Sequence, residues 1–482
     1  MTKLKIITLG LLASLALLSA GCGGATTSSS SPAGASLVRP DALAFVSIDS
    51  DLGSDQWKQI DTLSKKFPGR DLALSKLKQS FAKEQIDYNR DVEPALGSEV
   101  DVVFASGATP DDTAVVGLTK PKDAGKFKDL VKKLDATDTT GSPSVVRELS
   151  DGWYAIGDSN AQIDQVLKTG DKSLADESAY NDANGKLPSS ALAKAYVNGP
   201  KLGELIHKYS EGKGSGLAEA TSGLDKLDFV SASLSAESDG LQMHGAAQGS
   251  GAGELAGSGD YNSALLGETP GDALAFLTFR TGNALGSALL SAEAPLEYAL
   301  GVSVQELVQL FANESALYVR PGAVIPEVTL ILQPKSTSTA LATLDKLARR
   351  IARLGGGTLK GAGVEKTIDF GAVAVHYGAK GDKVVITNAP TGVAQVGSSS
   401  NKLPDSADFK EAKSAAGLPD SNGGFMYIDL KNAIPLIEGF AGLAGENLPS
   451  TVTENLRPLR SFLAWSEGSG NTRTFDLFLE IK

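Results

Sequence analysis

Residues 39–45 read RPDALAF, and residues 269–276 read TPGDALAF. Each stretch opens with a proline-containing turn and continues as a short apolar run, which predicts a β-strand. The recurrence of this pattern so far along the chain indicates an internal repeat. A repeat decides the architecture, because each copy is expected to fold as the same unit.

Further landmarks recur in the same order in both halves of the chain. Residues 114–122 (AVVGLTKPK) align with residues 327–335 (EVTLILQPK), and residues 195–198 (AYVN) align with residues 426–429 (MYID). Strand-like pairs alternate with helical patterns in each half. We therefore predict an α+β fold of two homologous domains made by tandem internal duplication. Each domain is expected to be a mostly antiparallel sheet covered by helices on one face.

The boundaries of these domains follow from composition. A chain of 482 residues with 41% apolar residues is long enough for two globular domains. Stretches rich in Gly, Ser, Thr and Ala cannot build a core, so they predict tethers and linkers. The predicted segments are a signal peptide at 1–21, a flexible tether at 22–38, the first α+β repeat at 39–250, a Gly-rich linker at 251–268 and the second repeat at 269–482.

The amino terminus has the pattern of an export signal. Lys3 and Lys5 precede an apolar run over residues 6–18, and small residues lead to Cys22, the only cysteine. This segment resembles a bacterial lipoprotein signal, although Ser19 stands where leucine is usual. We predict that Cys22 is lipidated and anchors the protein to the cell membrane on its extracytoplasmic side. The alternative is an ordinary secretory signal in which the cysteine has no such role.

The charge of the chain restricts its partners. The formal net charge is −12, with 45 basic and 57 acidic residues. An acidic surface repels phosphate backbones, so we expect no nucleic-acid partner. A single cysteine excludes an intrachain disulfide.

The repeated landmarks also resemble a known family. The opening strand (residues 40–45), the Pro-Lys start of a helix (121–122) and the strand GWYAIG (152–157) are similar to the bacterial family DUF3352. Its members are exported or membrane-tethered proteins of unknown function. The resemblance covers roughly residues 37–482 and implies a fold and a location, and no catalytic residues.

Asp49, Asp51 and Asp55 are the weak candidates for cation binding. Their spacing is similar to the first ligand positions of an EF-hand loop, but that loop needs glycine at position 6 and glutamate at position 12. Ser54 and Ile60 stand at those two positions. A polar turn in which Ser54 or Asp55 caps the next helix is the simpler interpretation. We predict no metal and no cofactor.

The three histidines do not form a ligand or catalytic set either. His207, His244 and His376 lie far apart in the sequence, and none has a histidine counterpart in the other half. A zinc site would need three or four clustered ligands. We expect these side chains to lie on a helix surface or on strands.

The absence of a repeated catalytic set favours a non-enzymatic role. We predict a cell-envelope binding or scaffold module, whose partner is an envelope protein, a lipid or a cell-wall ligand. One alternative is a carrier of lipid or cell-wall precursors with an enclosed apolar cavity. Another is an envelope hydrolase that uses Glu99 and Glu314, which align between the two halves. The sequence assigns no catalytic residue and no ligand-binding residue.

Overall fold

The computed structural model describes two compact units. The described residues are 32–107, 112–137, 143–210, 224–252, 259–281, 293–323, 325–361, 365–443, 445 and 448–482. The first unit contains the described residues up to 249, together with 450–458 and 481–482; the second contains 250–449 and 459–480. Cys22, the signal peptide and most of the predicted tether lie outside the described residues. Among the helices described, none is both long and apolar enough to span a bilayer.

The first unit is an α+β structure built on antiparallel strands. The strands are β1 (Ala44–Asp49), β2 (Glu99–Ala105), β3 (Ala114–Thr119), β4 (Val145–Glu148), β5 (Tyr154–Gly157), β6 (Ala193–Asn198), β7 (Leu227–Glu237) and β8 (Gly240–Gly249). They pair in the order β4-β5-β3-β2-β1-β6-β7-β8, and all these pairings are antiparallel. The predicted antiparallel sheet is therefore present.

Helices fill the connections of the first unit. They are α1 (Asp55–Ser64), α2 (Arg70–Lys83), α3 (Ala124–Thr137), α4 (Asn160–Val166), α5 (Ser178–Gly185) and α6 (Gly199–Ser210). Shorter 3-10 or π turns lie at Ala33–Leu37, Tyr88–Val92, Glu93–Ala95, Ser150–Gly152, Leu174–Asp176 and Leu224–Lys226. The helical spacing in α3 predicts one apolar face, and the structure confirms it. That face consists of the buried residues Phe127, Leu130, Val131 and Leu134.

Helices cover both faces of this sheet, so the prediction of one covered face was wrong. Val102 packs in the cluster that includes α3, whereas its neighbour Val103 packs in the cluster that includes α4 and α5. Every residue of β3 is buried. A strand that is buried on both sides does not alternate between apolar and polar residues, which is why its sequence AVVGLT is apolar or small throughout.

The dipeptide Asp151-Gly152 predicts a type I′ turn, and the hairpin between β4 and β5 has this turn. Asp151 has φ 54° and ψ 26°, and Gly152 has φ 79°. Positive φ at two successive residues is characteristic of a type I′ turn, which favours Asp-Gly. The turn sets the register that pairs Glu148 with Tyr154.

The second unit is also antiparallel α+β. Its strands are β9 (Tyr261–Asn262), β10 (Ala275–Arg280), β11 (Glu314–Arg320), β12 (Glu327–Leu332), β13 (Thr358–Lys360), β14 (Glu365–Asp369), β15 (Ala374–Lys380), β16 (Lys383–Thr387), β17 (Ser421–Asn422), β18 (Gly424–Asp429), β19 (Leu459–Ser469) and β20 (Thr472–Ile481). The main order is β13-β14-β15-β16-β12-β11-β10-β18-β19-β20. The short strands β9 and β17 pair separately.

The helices of the second unit also pack on both faces of its strands. They are α7 (Glu293–Leu300), α8 (Val304–Leu310), α9 (Thr337–Gly355), α10 (Gly392–Gln395), α11 (Ala407–Ala416) and α12 (Leu430–Leu443), with 3-10 turns at Leu265–Glu268 and Leu403–Asp405. A further helix, α13 (Ser450–Leu456), lies in a segment that belongs to the first unit. Leu332 packs in the cluster that includes α9, and its neighbour Ile331 packs in the cluster that includes α11.

Two segments that composition predicts as tether or linker are folded in part. Ala33–Leu37 forms a 3-10 turn in which Ala35 is fully buried. Within the predicted linker, Tyr261 lies in β9 and is buried. Small residues are common in flexible segments, but they also allow a backbone to approach a sheet closely. The folded part of the first unit therefore includes residues before 39.

Candidate functional site

The candidate cation ligands lie in the loop between β1 and α1, and they shape that loop. Asp49 accepts hydrogen bonds from the Asp51 N–H at 2.9 Å and the Ser54 hydroxyl at 2.6 Å. Asp51 accepts a hydrogen bond from the Gly53 N–H at 3.1 Å, and Asp55 forms an ion pair with Lys58 of its own helix. Burial raises the pKa of Asp49 to about 6. In the part of the chain that the structure covers, no three acidic, histidine or cysteine side chains are grouped to hold a metal ion.

Ser54 is the residue that caps α1, as one form of the polar-turn interpretation predicts. Its side chain accepts a hydrogen bond from the Trp57 N–H. The histidines are spread over different elements: His207 lies in α6, His244 in β8 and His376 in β15. The structure therefore brings none of the sequence candidates together into a ligand set.

Glu99 begins β2 and faces the start of the turn Ala33–Leu37. Its two oxygens accept hydrogen bonds from the backbone N–H groups of Ala33 at 3.2 Å and Gly34 at 3.0 Å. The first N–H groups of a helical turn have no partner within the turn, so a carboxylate there stabilises it. Glu99 thus ties the amino-terminal segment to the sheet.

Glu314 begins β11 and holds a corresponding turn ahead of β10. Its side chain is 1% exposed. It accepts hydrogen bonds from the N–H groups of Ala264 at 2.9 Å and Leu265 at 3.3 Å, and from the hydroxyls of Ser263 and Thr278. Donors of its own chain surround this carboxylate, as structural carboxylates require when they are buried.

Replacing Glu99 by glutamine is expected to loosen the amino-terminal turn. The uncharged amide has one acceptor oxygen and loses the favourable charge at the turn, so the free energy of unfolding should fall by about 1–2 kcal/mol. Hydrogen exchange at Ala33 and Gly34 should accelerate more than exchange in β2. Glu148→Gln, at an exposed position, is the matched control. Unchanged exchange at residues 33 and 34 would contradict the assigned role.

Asp101 is a buried acid that the sequence analysis did not single out. It lies two residues after Glu99 in β2, is fully buried, and neither of its oxygens has a hydrogen-bond partner among the described residues. Burial and then the charge of Glu99 raise its pKa well above its usual range. Gly34 packs so closely that a Cβ there would overlap the Asp101 side chain. An acid inside an apolar strand sequence, EVDVVFA, is the signal that could have identified it.

An open pocket of about 380 Å³ in the first unit is the candidate ligand site. It lies where α5, the end of β6, the start of α6 and the start of β7 meet. Polar and acidic groups dominate its wall. The lining residues are Pro40, Glu177, Ser178, Ala179, Asp182, Tyr196, Asn198, Pro200, Asp228, Phe229 and Gln248.

Tyr196 is the buried polar residue of this pocket. It is 3% exposed, and its ring meets that of Tyr180 edge to face with centroids 5.3 Å apart. Within the described residues its hydroxyl has no hydrogen-bond partner. Burial, followed by the charge of Glu177, raises its pKa to about 12, so the phenol stays protonated at neutral pH. A ligand in the pocket would meet a free hydroxyl beside carboxylates.

Another open pocket in the first unit has a different character. Its volume is about 420 Å³, and it lies between the start of α2 and α13. Arg70 and Lys76 provide its charged groups. Neither this pocket nor the acidic one is an enclosed apolar cavity.

Comparison with known proteins gives one match over nearly the whole chain. A family model described as "Protein of unknown function (DUF3352)" matches residues 4–481. No curated protein matches the chain.

Solved structures offer only weak likenesses. Crystal form IV of TP0453 has 14% sequence identity and a TM-score of 0.27, covering 45% of this chain and 81% of that chain. Crystal form III has 13% identity and a TM-score of 0.26, covering 45% of this chain and 92% of that chain. Likenesses of this size carry no argument about fold or function.

Proposed function

The chain belongs to the DUF3352 family of proteins of unknown function, and from that premise we propose that it is a cell-envelope lipoprotein with a non-catalytic binding or scaffold role. Its anchor is Cys22, on the extracytoplasmic side of the cell membrane. Its folded part is a tandem duplication of one α+β unit. Its partner is an envelope protein, a lipid or a cell-wall ligand.

The strand pairings support the duplication. In the first unit β1 lies between β2 and β6, and in the second β10 lies between β11 and β18. The order β5-β3-β2-β1-β6-β7 follows the same connections as β16-β12-β11-β10-β18-β19. The hairpin β13–β14 in the second unit is an addition to this shared pattern.

The partners of Glu99 and Glu314 are the observation that carries the non-catalytic role. These two carboxylates are the ones that a hydrolase would use, since they align between the two copies. Both accept hydrogen bonds from backbone N–H groups of a turn in their own chain. A catalytic acid or base must instead reach a substrate proton. Their repetition is therefore best explained by a repeated fold.

The two pockets found among the described residues of the first unit favour a binding or scaffold module over the precursor carrier. A carrier requires an enclosed apolar cavity of about 300–1,000 Å³. The two pockets of the first unit are open, and one of them is acidic. A carrier would gain support from lipid that copurifies with the protein in stoichiometric amounts.

Lipidation of Cys22 is the direct test of the anchor. We expect the amino-terminal peptide of the native, membrane-extracted protein to begin at an acylated Cys22 in mass spectrometry. Stable anchoring needs more than one acyl chain, and serine cannot carry the lipid that Cys22 carries. Cys22→Ser should therefore move the protein from the membrane fraction to the soluble fraction. An intact Met1 without lipid, or a Cys22→Ser protein that stays on the membrane, would refute the anchor.

A further inference from the structure

We propose that the acidic pocket of the first unit binds a primary alkylammonium group. This inference rests on the proposed binding role and duplication, and it names the chemical class of the ligand. Three observations lead to it: the unpaired carboxylates of the pocket, the free hydroxyl of Tyr196, and the side chains at the aligned positions of the second unit.

Among the residues that the structure describes, the carboxylates of the pocket have no cation of their own. Glu177 precedes α5, Asp182 lies in α5, and Asp228 is the second residue of β7. None of the three forms an ion pair within the described residues. Three like charges around one open pocket repel each other, and a bound cation would remove that repulsion.

The unpartnered hydroxyl of Tyr196 shows which kind of cation would fit. An ammonium group has three N–H donors and no acceptor. The Tyr196 oxygen can accept one of them, while Glu177 and Asp228 accept the others. Pro40, Ala179 and Pro200 provide apolar surface for the alkyl chain. A volume of about 380 Å³ is large enough for a short diamine or a lysine side chain.

The second unit has its own cations at the aligned positions. The landmark 195–198 aligns with 426–429, which places Lys431 at the position of Pro200. In the pairing of β18 with β19, Asp429 faces Ser461, as Asn198 faces Phe229 in the first unit. Arg460 therefore stands at the position of Asp228.

Lys431 in the second unit forms an ion pair that has no counterpart among the described residues of the first unit. Its ammonium lies 2.8 Å from a carboxylate oxygen of Asp408, in the first turn of α11. That hydrogen bond raises the pKa of Lys431, and the charge of Asp429 adds to the effect. One copy of the fold thus has an internal lysine ammonium beside acids where the other copy has an open acidic pocket. The first copy is therefore suited to an ammonium group supplied by a ligand.

Two sources could supply such a group: a free diamine or the side chain of a lysine in a peptide. The test uses the full chain carrying Cys22→Ser, so that no detergent is needed. Cadaverine and Nα-acetyl-lysine methylamide are titrated separately, with binding followed by NMR or calorimetry. We expect saturable binding of at least one of them, weakened as sodium chloride rises because the pocket is open to solvent.

The variants locate the site. Asp228→Asn removes one carboxylate, and Pro200→Lys supplies an internal ammonium as Lys431 does. Each should weaken binding by about tenfold or more. The first variant loses a charge-assisted hydrogen bond to the ligand, and in the second the new lysine competes for the same carboxylates. Asp129→Asn removes the same charge from α3 and should leave binding unchanged. Circular dichroism checks that each variant is folded, and Glu177→Gln replaces any that is not.

Several outcomes would overturn the proposal. The first is that the parent chain shows no saturable binding. The second is that Asp228→Asn and Glu177→Gln bind the amine probes as tightly as the parent chain does. The third is that the parent chain binds Nα-acetyl-arginine methylamide as tightly as the amine probes. The amine probe that binds more tightly identifies the source of the ammonium group. The measurement is made in solution, so a failure of the Cys22 anchor would leave it unaffected. A failure here would in turn leave the anchor and the duplication standing.

Discussion

Replacing Glu314 by alanine is expected to lower the free energy of unfolding of the second unit by about 3–5 kcal/mol. The side chain is 1% exposed, and it accepts hydrogen bonds from two backbone N–H groups and two hydroxyls. Its removal leaves these donors buried without partners. Each such group carries a desolvation penalty of about 1–3 kcal/mol, partly relieved where water enters the space. Urea unfolding followed by tryptophan fluorescence measures the change.

Two further variants separate this role from the loss of a charge. Glu314→Gln preserves the shape of the side chain but turns an NH₂ group towards donors, so we expect an intermediate loss. Glu297→Ala removes an exposed glutamate of α7 and should change stability by less than about 0.5 kcal/mol. If Glu314→Ala cost no more than Glu297→Ala, the carboxylate would not be holding the turn.

Asp101→Ala is expected to stabilise the first unit at pH 8 by about 1–4 kcal/mol. Asp101 is fully buried, without a hydrogen-bond partner in the described residues, and close to Glu99. Ala316, the second residue after Glu314 in β11, is also fully buried. Alanine is therefore accommodated at the corresponding strand position of the second unit. Replacing a buried ionisable group by an apolar one removes the cost of desolvating it.

The pH dependence identifies the cause. The folded pKa of Asp101 is raised above the ordinary value of 3.8, so the unfolded chain releases this proton at a lower pH than the folded chain. The contribution of Asp101 to stability is complete below pH 3.8 and is lost as the pH rises towards its folded pKa. We expect the difference between Asp101→Ala and the parent to grow from pH 4 to pH 8. A difference that is the same at both values, or a variant that is less stable at pH 8, would contradict the assigned burial.

Much of the fold is predictable because its elements have strong local signals. The spacing of the apolar residues in α3 defines its buried face, and the Asp151-Gly152 pair defines a hairpin turn. Residues 99–105 are mostly apolar and β-branched, which predicts a strand, and β2 has these bounds. The resemblance to DUF3352 is confirmed over residues 4–481.

The features that escaped prediction depend on tertiary packing. The sequence of residues 33–37 is AGASL, which has the composition of a tether. Its backbone is held by hydrogen bonds to Glu99, which lies far along the chain. The covering of both sheet faces, by contrast, has a local signal, because all six residues of β3 are apolar or small in the sequence, and all six are buried.

The ligand proposed for the acidic pocket rests on a comparison of the two units. No single residue of its wall belongs to a known motif. The exchange of Pro200 for Lys431 is visible in the aligned sequences, but its meaning depends on the ion pair between Lys431 and Asp408.

A crystal structure of the full chain, with its two units superposed on each other by their Cα atoms, tests the central claim of a duplicated unit. We expect β1 to superpose on β10, β2 on β11 and β6 on β18. Glu99 should be hydrogen-bonded to the turn that precedes β1, and Glu314 to the turn that precedes β10. Strands neighbouring β1 and β10 that differ in order or direction between the units would contradict it.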